Sequence, residues 1–278
     1  MMRNHLNDTG NPRLNWTGAL TLATGAAFAL QLFIWFVFYP LLGYRNTTVG
    51  AAGLMTAVLA VGLIAALRLG PRRIGLGARA LVEALVGVIA VHLVLLALIA
   101  VLQWTGGRAV LTPGGVRAFE APLRTIWGRL GTGAMLSNWA ITGLGEELLF
   151  AGVLYTLAYG AMRRVEGRSR SAHLGSIPTV AVLFALWHLP GYVAIALRVG
   201  SLGGMGPGLL LNFVSWLIFG AVYAVSGNLW LVAAVHATTD YPLLPAITGV
   251  PWVGMLTMAL FLAAGWAAAA LRDRTAAG

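Results

Sequence analysis

Residues 54–70 read LMTAVLAVGLIAALRLG, an apolar stretch broken by Thr56 and Arg68 and without strand-like alternation. A barrel strand in a membrane alternates lumen-facing with lipid-facing residues, so this stretch does not read as one. Inside hydrocarbon the backbone finds its hydrogen-bond partners only in helices or closed barrels, which leaves the helix. The stretch overlaps the second of eight apolar runs, at 17–43, 49–67, 81–104, 133–162, 179–197, 207–225, 229–247 and 251–271. Each is near the ~20 residues that cross a hydrocarbon core, and the fourth is long enough to tilt. The sequence therefore predicts an all-α, polytopic membrane protein with about eight transmembrane helices, forming a single integral-membrane domain over 1–278.

Composition agrees. Of 278 residues, 59% are hydrophobic and 9% are charged, and the mean hydropathy is +0.83. Soluble domains carry roughly 25% charged residues, and disordered chains have low hydrophobicity, so neither class fits. The net charge of +10 comes from 18 basic residues, all Arg, against 8 acidic ones. The arginines lie between apolar runs and form no basic stripe with exposed aromatics, which excludes nucleic acid as a partner. The absence of Cys excludes disulfides, thiol nucleophiles and zinc fingers. The first run is too long for a signal-peptide core and lacks a clear cleavage site, so it reads as a retained span.

Eight spans place both termini on one side. That side receives Arg3, Arg13, Arg68, Arg72, Arg73, Arg79, Arg163, Arg164, Arg168, Arg170, Arg272 and Arg274. The other receives Arg45, Arg108, Arg117, Arg124, Arg129 and Arg198. The positive-inside rule then predicts cytoplasmic termini. Trp16, Trp104, Trp127, Trp230 and Trp252 fall near span ends, as an aromatic belt does. Between the third and fourth runs, Arg108, Arg117, Glu120, Arg124 and Arg129 are interleaved with apolar residues, which fits an interfacial helix or a solvated loop. The glycine-rich stretch 200–208 reads as a mobile loop and lacks the lysine of a phosphate cradle.

The functional signal lies in polar residues placed where lipid penalises them. Glu83, Glu146, Glu147 and Asp240 fall inside predicted spans, and a charge at the bilayer centre costs at least ~2.5 kcal/mol. Adjacent helical residues point about 100° apart, so Glu146 and Glu147 cannot share one small face. One is expected to look into a polar cavity while the other finds a different partner. His188 lies in the fifth run. His236 lies in the seventh, with Asp240 four residues on and so on the same helical face. Three helices thus bring Glu146, Glu147, His188, His236 and Asp240 to comparable depth, which points to a convergent, water-filled site. Hydrolysis by an activated water needs a buried carboxylate base and donors for the oxyanion, and this set provides both without a cofactor. A zinc site of Glu, His and His is chemically possible, although the H-E-x-x-H helix is absent. Glu83 beside Arg79 reads as structural, and His92 as a packed histidine bonded to a neighbour. Asn138, Asn212, Gly143 and Gly145 read as interhelical contacts.

Glu146-Glu147-Leu148-Leu149-Phe150-Ala151-Gly152, then Phe184 with His188, then His236 with Asp240, resemble in order and spacing the three motifs of the CPBP intramembrane proteases. That family includes CAAX prenyl endopeptidases of the Ras-converting-enzyme type and bacterial Abi relatives. The motif-bearing core is about 131–247. The resemblance implies a metal-independent glutamic endopeptidase without a cofactor, acting on a membrane-associated peptide or protein substrate, in a bacterial-type plasma membrane. It also implies that Glu146 activates water with His188, that Glu147 supports the site, and that His236 and residue 240 form the oxyanion pocket. The chain departs from the family pattern E-E-x-x-x-R at Ala151, so Glu147 lacks its i,i+4 counter-charge and must be neutral, hydrogen-bonded or paired elsewhere. Asp240 stands where the family often has Asn, and an ionised Asp accepts but does not donate.

Other classes fit the same residues. An adaptor or immunity protein on this scaffold would follow from the loss at position 151. A proton-coupled transporter would use buried Glu and His, but it calls for inverted repeats, which the sequence lacks. A zinc-dependent membrane protease is a variant of the hydrolase.

Overall fold

The computed structural model of the chain describes residues 15–104, 132–166, 169–241 and 251–275. They form eight helices and no strand. Helix α1 is Trp16–Leu42, α2 is Asn46–Ala66 and α3 is Ala78–Trp104. Helix α4 runs over 133–166, α5 is Ser169–Val199, α6 is Met205–Ser226, α7 is Leu229–Asp240 and α8 is Pro251–Thr275. Seven of them, all but α7, are long and apolar enough to cross a membrane, in keeping with about eight transmembrane helices. Helix α7 has 12 described residues and so reaches ~18 Å, short of a ~30 Å hydrocarbon core. Residues 242–247 of the seventh predicted run lie outside the described residues, as do Trp127 and the whole 108–129 segment read as an interfacial helix or loop.

The helix starts follow from local chemistry. Asn15 accepts from Gly18 N at 3.1 Å and caps α1. Thr48 accepts from Arg45 N at 2.8 Å and opens α2, and Asn228 accepts from Leu231 N at 3.0 Å and caps α7. Each removes one of the orphan donors that a helix start leaves. The predicted loop 200–208 is shorter than its composition implied, because Gly206 and Gly208 already belong to α6 and Gly208 packs against Tyr192 of α5.

The centre of the bundle is α4. Of its membrane-crossing stretch 78% is buried, against 11% for α8. Lipid offers no hydrophobic drive between helices, so close approach depends on small residues. Gly145 of α4 lies so near α2 that a Cβ there would sit 2.7 Å from Gly53 O, and one on Gly143 would sit 3.3 Å from the Ala237 Cβ of α7. At the other end of α4, Trp16 packs on Gly160 and is 3% exposed. Trp16 is therefore a packing residue rather than part of a lipid-facing belt, since the missing Cβ at Gly160 gives its indole a seat. The interhelical role of Asn212 is borne out, as its Nδ2 donates to Tyr192 OH at 3.3 Å.

One end of the bundle is tied into a knot. The left-handed Gly227 (φ 57°) ends α6, and Gly75 (φ 78°) presses on the carbonyl of Gly227, where a Cβ has no room. Asn228 Nδ2 donates to Ala80 O of α3 at 2.7 Å. Arg272 of α8 donates to Ser226 O and pairs with Glu83 at 3.2 Å. Glu83 also holds Arg79 at 3.0 Å, so its structural reading is borne out. Helices α3, α6, α7 and α8 thus share one anchor at the start of α7.

Candidate active site

Within α4, the turn Leu144–Glu147 lies between two π-helical stretches, Leu136–Gly143 and Leu148–Tyr155. A π turn closes i→i+5 bonds and takes in about one extra residue, which rotates the downstream residues by roughly 100°. Widened turns of this kind recur at functional sites, and here they flank both glutamates. Glu146 is 8% exposed and Glu147 is fully buried.

Helix α7 brings its imidazole to both. His236 Nδ1 lies 2.8 Å from Glu147 Oε1, and His236 Nε2 lies 3.6 Å from Glu146 Oε2. The same Nε2 is 3.3 Å from Asp240 Oδ2, one turn along α7. The two glutamates do diverge as their helical positions require, but they address opposite nitrogens of one ring rather than unrelated partners. With carboxylates at both nitrogens, the ring is held as a double donor. Phe219 stacks on it at 5.1 Å and Phe184 meets it edge-on at 5.8 Å. An aromatic face over an imidazolium is attractive.

His188 of α5 is half-buried, and its Nδ1 bonds the Phe184 carbonyl at 2.8 Å. A carbonyl only accepts, so Nδ1 carries the proton and the neutral ring presents its lone pair on Nε2. His188 lies within electrostatic range of His236 and Asp240. His92 uses the same device, with Nδ1 on the Val88 carbonyl at 2.8 Å, and stands as the packed histidine expected. Glu146, Glu147, His236 and Asp240 are therefore gathered around one ring, with His188 beside them. The Asp240 side chain is 40% exposed, which marks the open side of the cluster. The counter-charge missing at Ala151 is supplied by His236, and Ala151 itself is fully buried.

Among the described residues, no group of three His, Asp or Glu side chains is arranged to hold a metal ion. Oε2 of Glu146 and Oε2 of Glu147 are buried without a hydrogen-bond partner in the described protein.

Residues 129–242 match the family model of the type II CAAX prenyl endopeptidase Rce1-like proteins. The segment is similar to that family. The match bears out the resemblance drawn from three short motifs, and the Rce1-like segment spans α4 to α7 with all five candidate residues. The match covers less than half of the chain, and that family is described as one of CAAX prenyl endopeptidases. No curated protein and no solved structure matches the chain.

Sequence reading missed contributors from outside the motifs. Phe219 is an ordinary apolar residue of a span, and nothing in hydropathy distinguishes it as the face on which His236 stacks. Tyr39 of α1 is 5% exposed and lies in electrostatic range of Glu146. It follows a π turn at Ile34–Phe38, and no periodicity argument places it near α4.

Proposed function

We propose that the protein is an intramembrane endopeptidase that hydrolyses a peptide bond of a membrane-associated substrate by glutamate-activated water, without a metal. The observation that carries this reading is the convergence of Glu146, Glu147 and Asp240 on the two nitrogens of His236. In the proposed step, Glu146 takes one proton from a water oriented by the lone pair of His188 Nε2. The resulting hydroxide bonds to the carbonyl carbon. The carbonyl oxygen becomes an oxyanion facing His236 Nε2–H, which its long contact to the half-exposed Asp240 leaves free to turn to substrate. The carbon–nitrogen bond then breaks, and the proton held by Glu146 passes to the leaving nitrogen. The net change is peptide plus water to acid plus amine. Glu147 holds His236 by Nδ1 and takes no part in proton transfer.

The adaptor reading draws on the loss at position 151. The 2.8 Å contact between Glu147 and His236 supports the catalytic reading instead, because the glutamate still has a cationic partner. The arginine distribution supports cytoplasmic termini.

The test uses the full chain in proteoliposomes with two fluorogenic peptides of the same sequence, one farnesylated and one not. The parent should cleave at least one of them, and Glu146→Gln and His188→Ala should each remove cleavage while the protein stays folded. Unchanged cleavage in both variants would refute the assigned roles. Loss of activity on chelation, with metal in the purified protein, would move the reading to a zinc protease.

A further inference from the structure

An oxyanion site commonly presents two donors, and the cluster around His236 accounts for one. His236 Nδ1–H is engaged by Glu147 and His188 Nδ1–H by the Phe184 carbonyl. Asp240, when ionised, only accepts. The hydroxyls of Thr238 and Thr239 bond the carbonyls of Ala234 and His236. Trp139 Nε1 donates to Tyr241 O at 3.0 Å. The Thr142 hydroxyl is buried against α2, 2.8 Å from where a Cβ on Gly53 would lie.

Tyr39 is different. Its ring is clamped by Trp35 at 4.9 Å, Tyr44 at 5.1 Å and Phe38 at 5.7 Å. It packs in one cluster with Ala52 of α2, next to Gly53, whose carbonyl touches Gly145 beside Glu146. On its other flank, Trp35 seats on Gly191 of α5, less than one turn beyond His188, where a Cβ would lie 2.7 Å from the indole. The aromatic cluster therefore bridges α5, which carries His188, and α2, which packs against Gly145 beside Glu146. The π turn at Ile34–Phe38 shifts the register of α1 immediately before Tyr39, and Pro40 follows it. Widened turns recur at functional sites, this one sets the direction of a phenol held by three rings within electrostatic range of Glu146, and a phenolic O–H can donate.

We propose that Tyr39 donates its phenolic O–H to the carbonyl oxygen of the scissile peptide as that oxygen becomes an oxyanion, as the second donor beside His236 Nε2–H. The inference rests on the hydrolytic reading above. Tyr39 keeps its proton throughout, so the balance of the reaction is unchanged.

The experiment measures cleavage of the same two peptides by the parent, Tyr39→Phe and Glu146→Gln in proteoliposomes. Binding of a peptide aldehyde, whose hydrate mimics the tetrahedral intermediate, is measured alongside. Tyr39→Phe keeps the ring and its packing. It should lower kcat by about 100-fold, the usual loss for one oxyanion donor, with KM unchanged. It should weaken aldehyde binding at least tenfold, with thermal unfolding unaltered. If Glu146→Gln is inactive while Tyr39→Phe matches the parent in kcat and aldehyde affinity, the role of Tyr39 is overturned and the hydrolytic reading stands. If Tyr39→Phe unfolds, a second variant, Tyr44→Phe, reports whether the cluster is merely structural. Equal damage from it overturns the proposal. Activity retained in Glu146→Gln, or no cleavage by the parent, overturns the hydrolytic reading and the role of Tyr39 with it.

Discussion

Glu147 Oε1 and His236 Nδ1, 89 residues apart in sequence, meet at 2.8 Å in the buried centre of the bundle. The pair joins α4 to α7 and fixes which nitrogen of the ring is left to face Glu146 and Asp240. Glu147→Gln keeps an oxygen acceptor and should preserve folding, with activity reduced because the ring loses a full counter-charge. Glu147→Ala strands a buried imidazole nitrogen and should destabilise the protein by about 3–5 kcal/mol, as breaking a buried pair does. Thermal unfolding in detergent, read for both variants, separates the two outcomes.

Restoring the family arginine should not help this chain. Ala151 is fully buried and Glu147 already has its cationic partner. Ala151→Arg adds a long charged side chain to a filled core, so it should lower stability by ~1–3 kcal/mol or more and reduce activity. A gain of cleavage in Ala151→Arg, measured in proteoliposomes, would instead support the adaptor reading of the parent.

Asp240 accepts from His236 Nε2 at 3.3 Å while its side chain is 40% exposed. Asp240→Asn retains an oxygen for Nε2–H and adds two donors at the site mouth, so kcat should hold within a few-fold of the parent. Asp240→Leu removes both capacities and should cut kcat by at least tenfold. Steady-state kinetics on the peptide that the parent cleaves gives the comparison.

The knot at the start of α7 yields a ranking of stabilities. Asn228 is fully buried, caps α7 and holds the Ala80 carbonyl. Asn228→Ala should therefore cost roughly 2–3 kcal/mol through a lost cap and an orphaned carbonyl. Arg272→Ala loses the Ser226 carbonyl and Glu83 together and should come next. The Arg79 side chain is 63% exposed, and Arg79→Ala should lie within ~0.5 kcal/mol of the parent. Any other order of unfolding midpoints would place the anchor elsewhere.

Lipid made the fold and most of the site legible. Apolar runs placed the ends of α1, α2, α3, α4, α6 and α8 to within four residues, while α5 starts ten residues before its run because its first turns are polar. Five polar residues in those runs marked the cluster because hydrocarbon penalises them. Hydropathy could not show that α7 ends at Asp240, because a buried short helix is as apolar as a crossing one. It also could not show π turns, which depend on packing rather than composition. Helical spacing alone therefore suggests separate partners for Glu146 and Glu147, and Tyr39 carries no signal in the sequence. The missing arginine was visible as a loss, while its replacement by a histidine from another helix was a tertiary fact.

Helix α7 hangs from its Asn228 end and reaches His236 after two turns. The depth of the imidazole is thus a length measured from one wall of the bundle, like a plumb line of fixed drop. One residue inserted between Asn228 and His236 would swing the ring by about 100° and part it from Glu147, so the drop is also the register of the site.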